Sequence, residues 1–150
     1  FMYISCADVG GCPLAAAVLY RIDRMLSGTP EIQKRVTLVS VSFDPERDTP
    51  ARMAEMKNSI KPKTDWQFLT SRTQADLQPV LEDFHQPIAK LRQEDGTWSG
   101  LFRHVLKVFL LDTDHNVRNI YSLGFFNPQL VLNDIETLLI ELNQQATRSP

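Results

Sequence analysis

The chain contains two cysteines, and both lie in one short stretch, "CADVGGCP", as Cys6 and Cys12. A cysteine pair can form a structural disulfide, act as a redox dithiol or ligate a metal, and in the last two roles the reactive form is the thiolate. Within a continuous helix, positions six apart would be rotated well away from each other at ~100° per residue. Gly10 and Gly11 lie between the cysteines and favour a turn instead. A folded-back loop could bring both sulfurs to bonding distance or onto one ion. Cys12 stands directly before Pro13, which suits the first position of a helix. The free N–H groups and partial positive charge of a helix N-terminus predict a lowered pKa for Cys12. Spacing alone does not choose between redox and metal chemistry; a third ligand would.

The elements around the pair decide where such a ligand could come from. Phe1 to Ser5 is a short apolar run of β formers. Leu14, Val18, Ile22 and Met25 recur at helical spacing until Gly28. "VTLVSVSF" over 36–43 is β-branched and apolar on both faces, the pattern of a buried central strand. "DPERDTP" follows as a loop, in which Thr49 caps and Pro50 starts a helix with Met53, Met56 and Ile60 on one face. The methionines, three residues apart on that face, are core residues rather than metal ligands.

Trp66 to Thr70 reads as a short strand. Thr73 with Asp76 reads as a capping box for a helix that Pro79 should kink or shorten. Residues 87–103 read as irregular, with a turn signal at Asp95-Gly96, and Trp98 in this segment is a candidate for exposure to a partner. Val105 to Leu111 is a second apolar strand, turned by "DTDHN" into Val117 to Leu123. Asn127 and Pro128 open a last helix bearing Val131, Ile135, Leu138, Leu139 and Leu142.

The order β-α-β-α-β-α-hairpin-α requires a parallel portion and a late antiparallel pair. It predicts an α/β, thioredoxin-like domain, with a mixed sheet and the cysteines where the first strand meets the first helix. One domain accounts for residues 1–150. "FMYIS" opens in the middle of an element, so the expectation is a piece of a longer protein whose earlier strands and any anchor lie outside it. Net charge is −2, which gives no basic excess for nucleic acid or an anionic membrane. No apolar run approaches the ~18 residues of a membrane span.

Of the three histidines, His85 at a helix end and His115 in the hairpin turn are surface residues on this reading. His104 is the candidate ligand. In a thioredoxin-like sheet the strand opening the late hairpin runs antiparallel to the first, so its beginning lies beside the first strand's end, near Cys6. Two thiolates and an imidazole form a soft, low-coordination set suited to Cu(I), and to Cu(II) with one added ligand. Zinc normally takes four ligands in structural sites. Asp8 is either a weak extra ligand or a polar loop residue, the second being favoured.

Three features then line up in order: the apolar strand running into a Cys…Cys-Pro loop, "VSVSFDPERDTP" at 39–50, and a lone histidine opening "RHVLKVFLLD" at 103–112. This set resembles the Sco/SenC family of copper chaperones, over Phe1 to about Gly124. The resemblance implies copper ligation by Cys6, Cys12 and His104. It implies copper delivery to the binuclear copper centre of cytochrome c oxidase, or reduction of that centre's cysteines. The partner would be the copper-receiving subunit or another copper or thiol protein. The setting would be a membrane-tethered domain in the bacterial periplasm or mitochondrial intermembrane space.

Two departures from the family pattern stand out. Five residues separate the cysteines where the family usually has three, and Arg103 precedes the histidine where Asp is common. A positive neighbour disfavours a bound cation and favours a thiolate. Both departures lean towards redox work, so a thiol–disulfide oxidoreductase using Cys6 and Cys12 without copper is the alternative; a purely structural disulfide is a third reading. A peroxiredoxin would want Thr three residues before the attacking cysteine, and Tyr3 and Val9 stand there. In "DPERDTP", Asp44 and Arg47 are read as shaping the loop rather than doing chemistry.

Overall fold

The computed structural model describes residues 1–6 and 11–148. The first helix, α1, spans Cys12–Ser27, with Gly11 as its N-cap residue and Pro13 at the start. A one-turn helix, α2 (Pro30–Gln33), leads into strand β1 (Thr37–Val41). Helix α3 (Pro50–Ile60) and strand β2 (Asp65–Leu69) follow, then helix α4 (Gln74–Asp83). Two hairpins come next, β3 (Ile88–Arg92) with β4 (Trp98–His104), and β5 (Lys107–Leu111) with β6 (Val117–Ser122). A 3₁₀ turn at Leu123–Phe125 precedes the closing helix α5 (Pro128–Arg148).

Strand pairing is mixed, parallel and antiparallel, as the element order predicts, and it falls into three two-stranded ladders. β1 and β2 pair in parallel, Leu38 opposite Trp66, as crossover through α3 requires. β5 and β6 pair antiparallel, Val108 opposite Tyr121. The expected strand at Phe1 to Ser5 is reduced to one parallel bridge, Met2 with Ser42. Met2 N–H donates to the Val41 carbonyl at 3.0 Å and Phe43 N–H to the Met2 carbonyl at 2.9 Å. The Phe1 ring meets Phe109 of β5 edge-on at 6.1 Å, which sets the opening segment between the parallel and antiparallel parts.

Two expectations need correction. Residues 87–103 are a regular antiparallel hairpin, with Gly96 in the left-handed region at φ 82° in its turn. β3 is exposed along almost its whole length, so its sequence carries no alternation to read. As a result His104 closes β4 rather than opening the next strand, which starts only at Lys107. Helix α4 also runs through Pro79 to Asp83, so the proline does not shorten it there. The two caps form as read: Thr49 Oγ1 accepts from Arg52 N–H and Thr73 Oγ1 from Asp76 N–H.

Two clusters of buried side chains result. One joins Ile22 and Leu26 of α1 to Trp66, Tyr121 and the α5 residues Val131 and Ile135. The other surrounds the start of the chain: Met2, Tyr3, Cys12, Phe43, Leu77, Leu81 and Phe102. Met53 is buried, and Met56 packs against the second cluster, in keeping with core roles. No helix among the described residues is long and apolar enough to cross a membrane.

Helix α1 is also anchored by a charge. Asp23 is fully buried and accepts from Lys63 N–H, Thr64 N–H and the Thr64 hydroxyl at 2.8–3.0 Å. Asp23→Ala would leave these donors without their acceptor, and we expect it to cost about 2–4 kcal/mol in denaturant unfolding.

Candidate metal centre

Cys12 is the first residue of α1, and Cys6 ends the segment that enters from the Met2 bridge. His104 arrives from the far end of β4, 92 residues from Cys12. The fold brings the three together. One donor atom from each, two sulfurs and an imidazole nitrogen, lie within 4.8 Å of one another. Cys12 Sγ is 3.8 Å from His104 Nε2. That separation is inside the ~4.3 Å that metal–ligand bonds of ~2.3 Å to sulfur and ~2.0 Å to nitrogen can span. Cys12 is buried, while Cys6 and His104 are half-buried. No disulfide links the cysteines.

An aromatic wall backs the cluster. The His104 ring lies 4.8 Å from the Phe43 ring and 6.1 Å, edge-on, from Tyr3. Tyr3 and Phe102 make a further edge contact at 5.2 Å. Burial, then a hydrogen bond with the Cys6 sulfur, push the Tyr3 hydroxyl up to about 12.

The loop "DPERDTP" positions two of the three candidate ligands. Asp48 is fully buried; its Oδ2 accepts from Ile4 N–H at 2.9 Å and from the Ser42 hydroxyl at 2.6 Å. Arg52 Nη1 faces its other oxygen at 3.7 Å. This carboxylate therefore fastens the backbone two residues before Cys6. Arg47 ion-pairs with buried Asp44 and donates to the Gly100 carbonyl at 2.9 Å, fastening the strand that carries His104. Its guanidinium also covers the Trp98 ring at 4.4 Å, with Lys90 Nζ 4.5 Å from that ring. Trp98 is thus half-buried between two cations rather than fully exposed. The structural reading of Asp44 and Arg47 holds, and Asp48 and Tyr3 are the positioning residues that sequence reasoning passed over. Asp48 was visible only as one acidic residue among several, and Tyr3 only as a strand residue.

The expected low pKa of Cys12 is not found. Burial pushes the thiol up to about 12; the backbone N–H of Tyr3 works against this, and the nearby Cys6 adds to it. Helix position is correct, but removal from water outweighs the dipole. Arg103, expected to influence the ligands, is exposed and alternates with Phe102 and His104 on β4, so it projects from the opposite face. His85 and His115 are exposed, with φ of 45° and 65° at turn positions, as surface residues. Asp8 and its neighbours, residues 7–10, lie outside the described residues.

The fold and the cluster define a thioredoxin-like domain with a two-sulfur, one-nitrogen site. The family model for SCO1/SenC proteins matches residues 1–140, and the chain belongs to that family. No curated protein matches. Among solved structures, an apo Sco1 protein from Thermus thermophilus is 25% identical, with a TM-score of 0.73, over 92% of this chain and 76% of that one. ScoI from Bradyrhizobium japonicum, determined with copper bound, is 23% identical with a TM-score of 0.69, over 92% and 81%. ScoI from Arabidopsis thaliana, also with copper bound, is 19% identical with a TM-score of 0.67, over 94% and 81%.

This geometry makes metal binding sensitive to pH and to the frame. A Cys12 thiol titrating near 12 must lose its proton to a metal at neutral pH. The apparent Kd for a soft metal ion should therefore fall at least about tenfold per pH unit from pH 6 to 8, as competition titration would show; a flat profile would contradict the buried thiol. Asp48→Ala should release the segment before Cys6, weakening metal binding by about tenfold or more in the same titration.

Proposed function

We propose that this domain is a copper-binding metallochaperone that holds Cu(I) between Cys6, Cys12 and His104. The observation that carries the reading is the convergence of these three donors within 4.8 Å from two distant parts of the chain. Two thiolates and an imidazole match the preference of Cu(I) for soft ligands at low coordination number. Membership of the SCO1/SenC family and the likeness in fold to two copper-bound ScoI structures support the same cargo. Cys6 and His104 are half-buried whereas Cys12 is buried, so an incoming thiolate of a recipient protein would meet the ion from their side. The recipient we infer is the binuclear copper centre of cytochrome c oxidase. The compartment is the bacterial periplasm or the mitochondrial intermembrane space.

The oxidoreductase alternative needs an accessible thiolate of low pKa. Cys12 is buried and pushed up to about 12, so the attack would fall to half-buried Cys6. His104 would then be idle, although it lies 3.8 Å from Cys12. The copper reading uses all three residues.

The test is anaerobic titration of the reduced protein with Cu(I) against a chelator of known affinity. One ion should bind per chain, and C6S, C12S and H104A should each weaken binding by roughly a hundredfold or more. If H104A binds like the parent protein, the three-ligand site is wrong. If the parent never outcompetes the chelator while either Cys→Ser change abolishes disulfide reduction, the oxidoreductase reading takes its place.

A further inference from the structure

β1 and β5 each have one strand partner, β2 and β6, and among the described residues no strand pairs with both of them. A slot of 560 Å³ lies between the two. Every residue from Val36 to Val41 lines it, and so does every residue from Leu106 to Asp112, so it runs the length of both strands. Leu19 of α1, Met56 of α3, Phe84 of α4 and Leu139 of α5 line it as well. Leu19 and Leu139 pack on the first buried cluster and Met56 on the second, so the slot touches both halves of the core.

The backbone of β1 is turned towards this slot. In a strand, the N–H and C=O of successive residues point to opposite edges. Ser42 N–H donates to the Leu69 carbonyl on the β2 side at 2.8 Å, whereas the Val41 carbonyl accepts from Met2 N–H at 3.0 Å. Val41, Val39 and Thr37 therefore direct their backbone groups into the slot. The side chains show the same vacancy. "VTLVSVSF" has the pattern of a strand buried on both faces, yet Val39 is 51% exposed, and Leu111 on the facing strand is 38% exposed. Open strand edges beside exposed apolar side chains are a template for one more strand.

We propose that the slot is a strand-binding site, whose occupant is an extended apolar segment that runs parallel to β1 and continues directly into Phe1. The parallel bridge between Met2 and Ser42 is the last rung of that ladder. It fixes direction and register: the positions two and four residues ahead of Met2 fall opposite Ser40 and Leu38. About five residues at ~3.3 Å each match the run from Val36 to Ser40. Because the slot touches both core clusters, the segment is apolar on both faces rather than alternating. Once filled, the single bridge becomes a central strand that leads straight to Cys6. The proposal holds whatever cargo the metal centre carries.

The test compares three proteins: the chain as it stands, the chain with the extension "VVLVV" ahead of Phe1, and the chain with "VVPVP" there. The prolines remove the two donors aimed at β1. Amide hydrogen exchange, thermal midpoint and sedimentation are recorded for each. With "VVLVV" the Val39 and Val41 amides should exchange at least about tenfold more slowly than in the unextended chain, and the midpoint should rise by about 5 °C or more. The "VVPVP" form should show neither change. Equal exchange at Val39 and Val41 in the two extended proteins would overturn the proposal. So would an unextended chain that sediments as a dimer with these amides already protected, since a second copy would then fill the slot. If the unextended chain does not fold, the two extended proteins carry the test between them.

Discussion

Asp48 has no contact with water, yet it holds the backbone that leads into Cys6. Its carboxylate takes a hydrogen bond from Ile4 N–H, another from Ser42, and faces Arg52 at 3.7 Å. A buried charge of this kind is weak evidence for stability, since an apolar replacement can be as stable. What it does supply is direction: the acceptor has one position, and the chain must come to it. The bridge between Met2 and Ser42 is single, and one ladder rung would leave the segment free to pivot. The carboxylate removes that freedom just ahead of the ligand. Arg47 does the corresponding work on the other side, through Gly100 of the strand that ends in His104. One five-residue stretch, Asp44 to Asp48, thereby sets the distance between candidate ligands that the chain separates by almost a hundred residues.

The same packing decides the protonation of the site. A helix N-terminus contributes roughly 0.3–1 kcal/mol to a nearby anion at an exposed position. Removing a charged group from water can shift a pKa by 3–5 units, each worth about 1.4 kcal/mol. Cys12 is 4% exposed, so desolvation prevails over the dipole and the thiol stays protonated in the metal-free protein. Cys12 is therefore quiet towards electrophiles. It becomes a thiolate when a cation arrives to supply the positive charge that the dipole cannot.

Much of this could be read from the residues alone. The period of α1 and α5, the buried strand before "DPERDTP" and the caps at Thr49 and Thr73 are local signals, and they appear where the pattern puts them. The three candidate ligands were legible because cysteine and histidine are rare here and the topology brings their elements together, their donor atoms within 4.8 Å of one another. The β3 and β4 hairpin was not, because a strand exposed on both faces carries no alternation of apolar residues. The opening strand was overread, since only one residue finds a ladder partner. Asp48 and Tyr3 were missed for a common reason. Their roles come from long-range contacts, to Ile4 for the one and to Phe102 for the other, and no local pattern marks such partners.

The five-residue gap between the cysteines raises the question of whether a longer loop loosens the site. Closure entropy grows slowly with length, by about 0.6 kcal/mol for each doubling. Going from three intervening residues to five is less than a doubling, so the cost is below ~0.6 kcal/mol, under threefold in affinity. Against this, both ends of the loop are fixed by the frame rather than by each other. Ile4, two residues before Cys6, is held by Asp48. Gly11, one residue before Cys12, already accepts the first hydrogen bond of α1, from Ala15 N–H at 3.1 Å. Most of the entropy of bringing the sulfurs together is therefore lost in folding, before any ion binds. Donor spacing, set by Asp48 and α1 rather than by the length of the loop, should then govern how tightly the site holds a metal.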